Sequence, residues 1–231
     1  EDGLCFGSGI ISPVHEIEKT TVGLGDVWET PNGDFCIYPT KKTYNTNMDA
    51  LLHILKSEQI TFKDVDEIHI LTAYGKAFLP KSVDAITNST EAFNNMPYVI
   101  AAAAYDGDFW FEQLEKDHYT NPELLAFARE KVKIIADPEL EKMVPKVWPG
   151  AIELITKDGR KFTHRVDVHK GEHDNPLSDE ELQDKFRRMA ISLSAAKQDA
   201  VIEQVNDLEN LKSLENLNEA LRPTAALDSF K

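Results

Sequence analysis

The feature that most constrains the fold is an Asp-Gly dipeptide between two runs of alternating residues. The runs AIELIT, beginning at Ala151, and KFTHRVDV, ending at Val168, lie on either side of Asp158-Gly159. Alternation places every second side chain on one face of a strand, and Asp-Gly suits the positive φ angles of a type I′ turn. The sequence therefore predicts a β-hairpin with a two-residue type I′ turn at residues 158–159.

Helical patterns precede this hairpin. An amphipathic spacing at residues 48, 51, 52 and 55 predicts a helix with Asn45 or Thr46 as its N-cap. The run EIHILTAY, residues 67–74, is rich in β-branched and aromatic side chains and predicts a strand. Two further helices are predicted to begin at Asn95, with Pro97 in the first turn, and at Asn121, with Val132 on the second helix.

The C-terminal region is also predicted to be helical. Ser178 and Glu181 form a capping box that opens an apolar stripe at residues 182, 186, 189 and 193. Lys185, Arg187 and Arg188 lie opposite this stripe and are interpreted as a solvated face. After Ala195, apolar residues recur every third position from Val205 to Leu217. Such a stripe would wind round a single helix, because an α-helix has 3.6 residues per turn. A helix break is therefore predicted near residues 210–213.

The order of these elements favours an α+β fold over an alternating doubly wound sheet. We expect a small mixed or antiparallel sheet whose hairpin packs against helices, followed by C-terminal helices. The predicted domains are an α+β domain over residues 1–190, with a loop-rich entry at 1–44, and C-terminal helices at 191–222 that pack on it. A frayed tail is expected at residues 223–231.

Charge and cysteine usage narrow the function classes. The 231 residues carry 25 basic and 40 acidic side chains, a net charge of −15. An acidic surface repels phosphate backbones, so nucleic acid is an unlikely partner. No apolar run reaches the length of a membrane span, so no membrane partner is expected. Cys5 and Cys36 are interpreted as free thiols in a reducing compartment, which predicts a cytoplasmic location.

Two groups of residues could carry chemistry. Lys41 and Lys42, with Tyr44, precede the first long helix, where ammonium groups and helix N–H groups could bind a carboxylate. The alternative is a loop of solvated lysines. Tyr98 could act as a proton donor or orienting group, or simply be a core tyrosine. His164, His169 and His173 could bind a metal, but solvated histidines are the simpler interpretation, and no metal is predicted.

A series of motifs in order resembles one family along nearly the whole chain. The motifs are Leu24-Gly25-Asp26-Val27-Trp28, Tyr38-Pro39, Met96-Pro97-Tyr98, Asp106-Gly107, Trp148-Pro149, Asp158-Gly159 and the stretch from Lys170-Gly171 through Asp174-Asn175-Pro176-Leu177 to Lys185-Phe186-Arg187. They resemble the C-terminal, second domain of the MmgE/PrpD family, which includes 2-methylcitrate dehydratase, cis-aconitate decarboxylase and iminodisuccinate epimerase.

The resemblance implies a lyase or isomerase that acts on a small di- or tricarboxylate by removing a proton next to a carboxylate, without a cofactor. It also implies a homodimer and an N-terminal helical domain that this sequence lacks. Tyr98 matches the family's active-site tyrosine. Cys36 stands where members commonly carry a lysine, and Lys41, Lys42 and Asn45 lie where their histidines would be.

Two other functions remain open at this point. One is a divergent, non-catalytic domain that serves in dimerisation or binds a small acid. The other is a structural module that binds a protein through its leucine-rich C-terminal helices.

Overall fold

The computed structural model describes residues 21–73 and 82–224. The chain divides into two units, one ending at Gly33 and one beginning at Asp34. The described part of the first unit contains short turns and a 3-10 turn at Thr30–Asn32. All the elements that follow belong to the second unit.

The second unit contains a sheet with helices before, between and after its strands. The elements in chain order are α1 (Asn45–Ser57), β1 (Val65–Thr72), α2 (Ser89–Phe93), α3 (Met96–Asp106), α4 (Lys116–Tyr119), α5 (Pro122–Glu130), β2 (Val132–Ala136), α6 (Pro138–Glu141), β3 (Gly150–Thr156), β4 (Lys161–Val166), α7 (Asp179–Met189), α8 (Ala195–Asn206) and α9 (Glu215–Ala220). This mixture of segregated helices and strands is the predicted α+β class.

The sheet has the strand order β2-β1-β3-β4 in the described residues. β1 and β2 are parallel, with Ile68 opposite Val132, while β1–β3 and β3–β4 are antiparallel. The prediction that Val132 continues a helix is therefore wrong. The helix α5 ends at Glu130, and the β-branched run after it adds a parallel edge strand.

The predicted hairpin is confirmed as β3–β4, but its turn differs from the prediction. The N–H of Gly159 donates to the Thr156 carbonyl (2.8 Å), and the N–H of Thr156 donates to the Arg160 carbonyl (3.0 Å). Gly159 has φ of 85°, whereas Asp158 does not have the positive φ that a type I′ turn requires. The connection is a three-residue loop with Gly159 at the left-handed bulge position.

Helix starts follow the sequence signals closely at three places. Asn95 accepts from the N–H of Tyr98 and caps α3, Asn121 caps α5, and Ser178 forms the predicted capping box with Glu181. At α1 the predicted N-cap is wrong. Tyr44 occupies that position without a side-chain cap, because a 3-10 turn at Lys42–Tyr44 leads into the helix and accepts its first N–H.

The C-terminal helices break as predicted, although the break begins earlier. α8 ends at Asn206, a 3-10 turn follows at Leu208–Asn210, and α9 begins at Glu215. The predicted boundary at residues 190/191 stays a prediction. Tyr74, at the end of the predicted strand, Cys5 and residues 225–231 of the predicted tail lie outside the described residues.

One large core lies between the helices and one face of the sheet. Its fully buried members include Met48 and Leu51 of α1, Ile100 of α3, and Ile68 and Ile152 of the sheet. A second, small cluster consists of Leu193, Val201 and Ala220. In the described part of the chain, no helix combines the length and the apolar character needed to cross a membrane.

Candidate functional site

Lys42 lies in the 3-10 turn before α1 and is already paired with acids. Its Nζ contacts Asp34 closely and lies 3.4 Å from Glu172 Oε1. Partial burial disfavours the ammonium, but the hydrogen bond with Asp34 and the charge of Glu172 outweigh this and raise the pKa of Lys42. The hydrogen bond from Lys42 in turn lowers the pKa of Asp34. Because Asp34 and Glu172 already balance the charge of Lys42, this side chain attracts an added carboxylate only weakly.

Lys41 differs from its neighbour. It is exposed, and its Nζ lies 5.8 Å from the centre of the Tyr44 ring, within the range of a cation–π contact. Within the described residues, no carboxylate lies within 4.0 Å of this ammonium. The Tyr44 ring is buried, and its hydroxyl donates to the Asn94 carbonyl at 2.9 Å. Lys41 is thus a solvent-facing cation on a fixed aromatic support.

Asn45 opens α1 inside the protein. Its side chain is fully buried, and neither amide atom has a hydrogen-bond partner among the described residues. The neighbouring Asn47 donates to the carbonyls of Leu71 and Ala151, which ties α1 to the sheet. A Cβ at Gly150 would lie 2.7 Å from the Asn47 side chain, so only glycine allows this approach.

Tyr98 is enclosed in the core. The residue is 0% exposed, and its hydroxyl donates to the Gln113 carbonyl. Burial, with the nearby charge of Asp106, raises the pKa of Tyr98 well above its usual range. The start of α3 nevertheless lies beside the lysine segment, because Tyr44 contacts Asn94 and the Thr40 hydroxyl donates to the Phe93 carbonyl at 3.1 Å.

A second group of cations lies on α7, where Lys185, Arg187 and Arg188 are interpreted from the sequence as a solvated face. The Arg188 guanidinium lies 4.2 Å from the Trp110 ring centre, and the Lys185 ammonium lies 5.3 Å from it. Lys185 also donates to the Cys36 carbonyl at 2.7 Å. Meanwhile Leu182 and Met189, two residues of the predicted apolar stripe, are 38% and 54% exposed.

These cations line a cavity of about 330 Å³ between α7 and the chain around residue 37. We call it the α7 pocket, which is lined by Ile37, Tyr38, Asp49, Trp110, Lys170, Leu177, Glu181, Asp184, Lys185 and Arg188. Burial lowers the pKa of Lys185, and the positive charge of Arg188 lowers it further. The signal available in the sequence was the Lys185-Phe186-Arg187 motif, which carried a family resemblance but no predicted role.

The acids of this pocket are largely engaged. Asp49 accepts from the Tyr38 hydroxyl and from the N–H of Lys170, both at 2.8 Å, and burial raises its pKa. Glu181 pairs with the Lys170 ammonium at 3.0 Å. Among the described residues, no cluster of three His, Cys, Asp or Glu side chains has the arrangement of a metal site.

Comparison with known families agrees with the order of motifs and with this fold. Residues 38–210 match the model of the MmgE/PrpD C-terminal domain. The chain belongs to the MmgE/PrpD family. The matched region covers α1 through the 3-10 turn after α8, and so includes both cation groups described above.

One relative of this MmgE/PrpD chain is the cis-aconitate decarboxylase of the mouse, Mus musculus. The two are 28% identical over 131 residues, which cover 55% of this chain and 26% of the decarboxylase. The match thus spans about a quarter of that relative's length. Family membership supports a lyase-like role at the level of the family.

Proposed function

We propose that the chain is the C-terminal part of an MmgE/PrpD lyase or isomerase that acts on a small di- or tricarboxylate. The family match supports the reaction class, and the decarboxylase relative supports an unsaturated tricarboxylate such as cis-aconitate, or the related 2-methylcitrate, as substrate. The common step is removal of a proton next to a carboxylate, without a metal or organic cofactor. In this proposal the main base comes from a further helical domain, and the enzyme is a cytoplasmic homodimer.

The observation that carries the proposal is the solvent-facing ammonium of Lys41, which has no carboxylate within 4.0 Å in the described part of the chain. Lys42 is neutralised by Asp34 and Glu172, whereas Lys41 faces solvent above the Tyr44 ring. In this role Lys41 binds a substrate carboxylate, and Lys42, Tyr44 and Asn45 hold the segment in place. Tyr98 serves as the proton donor of the complete enzyme, which requires its hydroxyl to leave the Gln113 carbonyl.

Calorimetric titration with citrate tests the lysine assignment on the chain itself. Removing one charge-assisted contact weakens binding by roughly tenfold, so Lys41→Ala is expected to raise the dissociation constant by about that factor. Lys42→Ala should have a smaller effect, because its charge is already paired. Lys56→Ala, an exposed lysine at the end of α1, is the control. Equal affinities for all four proteins would contradict the role of Lys41.

An activity assay tests the need for a further domain. We expect no turnover of cis-aconitate or 2-methylcitrate by this chain alone, because a tyrosine enclosed in the core and a protonated lysine are poor general bases. Turnover by the chain would refute that part of the proposal.

A second candidate function is a non-catalytic domain that serves in dimerisation or in small-acid binding. It is favoured by Cys36 at the family's lysine position and by the absence of histidine from residues 40–47. Sedimentation of the chain over a range of concentrations, together with the citrate titration, separates the two. A dimer that binds citrate but never turns it over, even when combined with a family helical domain, would favour this second function.

A further inference from the structure

The α7 pocket holds two neighbouring cations, and one of them has no acidic partner among the described residues. Lys185 and Arg188 lie one turn apart on α7, and both contact the face of Trp110. Arg188 pairs with Asp108 at 2.8 Å, but within the described residues no carboxylate lies within 4.0 Å of the Lys185 ammonium.

The acids of the lining are engaged by other groups or lie at the rim. Glu181 is neutralised by Lys170, and Asp49 is held by two donors at the inner wall. Asp184 is the other acid of the lining, and it lies exposed where water screens its charge. The repulsion between Lys185 and Arg188, which contributes to the lowered pKa of Lys185, would be relieved by an anion placed between them.

The walls of the pocket indicate what kind of anion fits. Ile37, Leu177 and the Trp110 ring provide apolar surface beside the cations. A volume of about 330 Å³ lies within the range of small-molecule sites. Inorganic phosphate would leave this apolar surface bare, whereas an organic acid covers it.

We propose that the α7 pocket binds a small organic carboxylate, whose oxygens contact Lys185 and Arg188 and whose carbon skeleton lies against Ile37 and Leu177. The Lys185 ammonium uses one proton to bind the Cys36 carbonyl and keeps two donors for the ligand. This site is separate from Lys41 and does not depend on the activity proposed above.

Citrate titration followed by the indole N–H resonance of Trp110 tests this site directly. Trp110 is one of three tryptophans, so Trp110→Phe assigns its resonance, and the signals of Trp28 and Trp148 serve as internal references. We expect citrate to shift the Trp110 signal saturably and the other two far less. A Trp110 signal that does not move at any citrate concentration would overturn the proposal.

Substitutions that remove a positive or a negative charge from the pocket should change the citrate dissociation constant in opposite directions. Lys185→Gln keeps a donor for the Cys36 carbonyl but removes the charge, and it should raise the citrate dissociation constant measured from the Trp110 signal roughly tenfold. Asp184→Asn removes a repulsive charge from the rim and should lower that constant. Lys146→Gln, an exposed lysine outside the pocket, is the control. Equal affinities for Lys185→Gln and Lys146→Gln would contradict the site, provided that both unfold at the wild-type temperature.

Two more results separate this site from other anion binding. Lys41→Ala should leave the Trp110 titration unchanged, so failure of the Lys41 assignment and failure of the α7 pocket are distinguishable. Citrate binding at alkaline pH should take up protons in the wild type but not in Lys185→Gln, as calorimetry in buffers of different ionisation enthalpy measures. If inorganic phosphate binds as tightly as citrate, the apolar wall has no role and the organic ligand class is wrong.

Discussion

Two regions of the molecule are held together in different ways. One is the core formed by α1, α3 and the sheet, and the other is the group of three C-terminal helices. In the core, Met48, Ile68 and Ile152 are fully buried. In the C-terminal helices, the apolar cluster of Leu193, Val201 and Ala220 is small, and Met189 and Leu214 are more than half exposed. The first region is stabilised by burial of apolar surface, and the second has little of it.

Polar contacts replace that burial along α7. Lys185 and Arg188 connect this helix to the Cys36 carbonyl and to Asp108, and Arg187 pairs with Asp199 of α8 at 2.7 Å. Exposed ion pairs contribute little free energy and are screened by salt. Two of these side chains, Lys185 and Arg188, also line the α7 pocket. A ligand there would therefore stabilise the less stable of the two regions.

The largest expected effect is the loss of a core side chain. Ile152→Ala removes a fully buried side chain from the centre of the sheet and should lower the free energy of unfolding by about 2–5 kcal/mol. Leu217→Ala, at a half-buried position in α9, should cost no more than about 1 kcal/mol. Urea unfolding measures both. Equal losses would show that the C-terminal helices have a core of their own.

A pair of glycines tests close packing outside the core. Gly171 and Gly159 have φ of 96° and 85°, but a Cβ at Gly171 would lie 2.2 Å from the Phe35 carbonyl oxygen, while a Cβ at Gly159 meets nothing within 4 Å. In both alanine variants, backbone strain should lower the free energy of unfolding by about 1 kcal/mol. In Gly171→Ala, the clash should lower it by roughly 1–2 kcal/mol more. Thermal unfolding compares them. If the two variants are equally stable, the backbone around Phe35 moves away from the added methyl group at little cost in free energy.

Local signals in the sequence were sufficient where local chemistry decides the structure. The caps at Asn95, Asn121 and Ser178 and the hairpin around Gly159 depend on a few adjacent residues, and each was predicted. The type I′ turn was wrong because the two loop geometries share the same Asp-Gly signal and differ by one residue of register. Val132 was assigned to a helix because its pairing with Ile68 is non-local.

The candidate site was harder to predict for the same reason. Lys41 and Lys42 are adjacent in sequence, and their difference arises from Asp34 and Glu172, the second of which lies far along the chain. Lys185 and Arg188 were interpreted as a solvated face, because nothing near them in sequence indicates that Trp110 packs beneath them. The periodicity of apolar residues predicts which face of a helix is buried, but it does not predict which residue from elsewhere in the chain packs on a given face.

A pH effect is expected at the edge of the core, where α1 meets β4. The rings of His53 and His164 stack with centres 3.9 Å apart, and burial, with the charge of His53, lowers the pKa of His164 below 6.5. The unfolded chain therefore binds the proton more tightly than the folded one. Stability should be full above about pH 6.5 and decrease as the pH falls through the folded pKa.

The variant His164→Gln should remove part of this decrease. Its urea midpoint should change less between neutral and mildly acidic pH than that of the wild type. His118→Gln, on α4 beside Asp106, is the control for general acid destabilisation. An unchanged pH slope in His164→Gln would show that other groups cause the decrease.

The smallest effect is expected at Arg188 and bears most directly on the comparison between the two regions. Arg188→Gln removes the pair with Asp108 and the stack on Trp110, both partly exposed, and should cost no more than about 1 kcal/mol. Hydrogen exchange locates this loss, because α7 amides should exchange faster while those of β1 and β3 do not change. In the wild type, added salt should mimic the variant at α7 alone, since ions screen the pair but not the buried core. Arg222→Gln, which breaks an exposed pair with Glu219 after α9, controls for the loss of any arginine. If salt accelerates exchange equally in α7 and in the central strands, the two regions unfold as one unit, and the polar contacts along α7 do not set its stability.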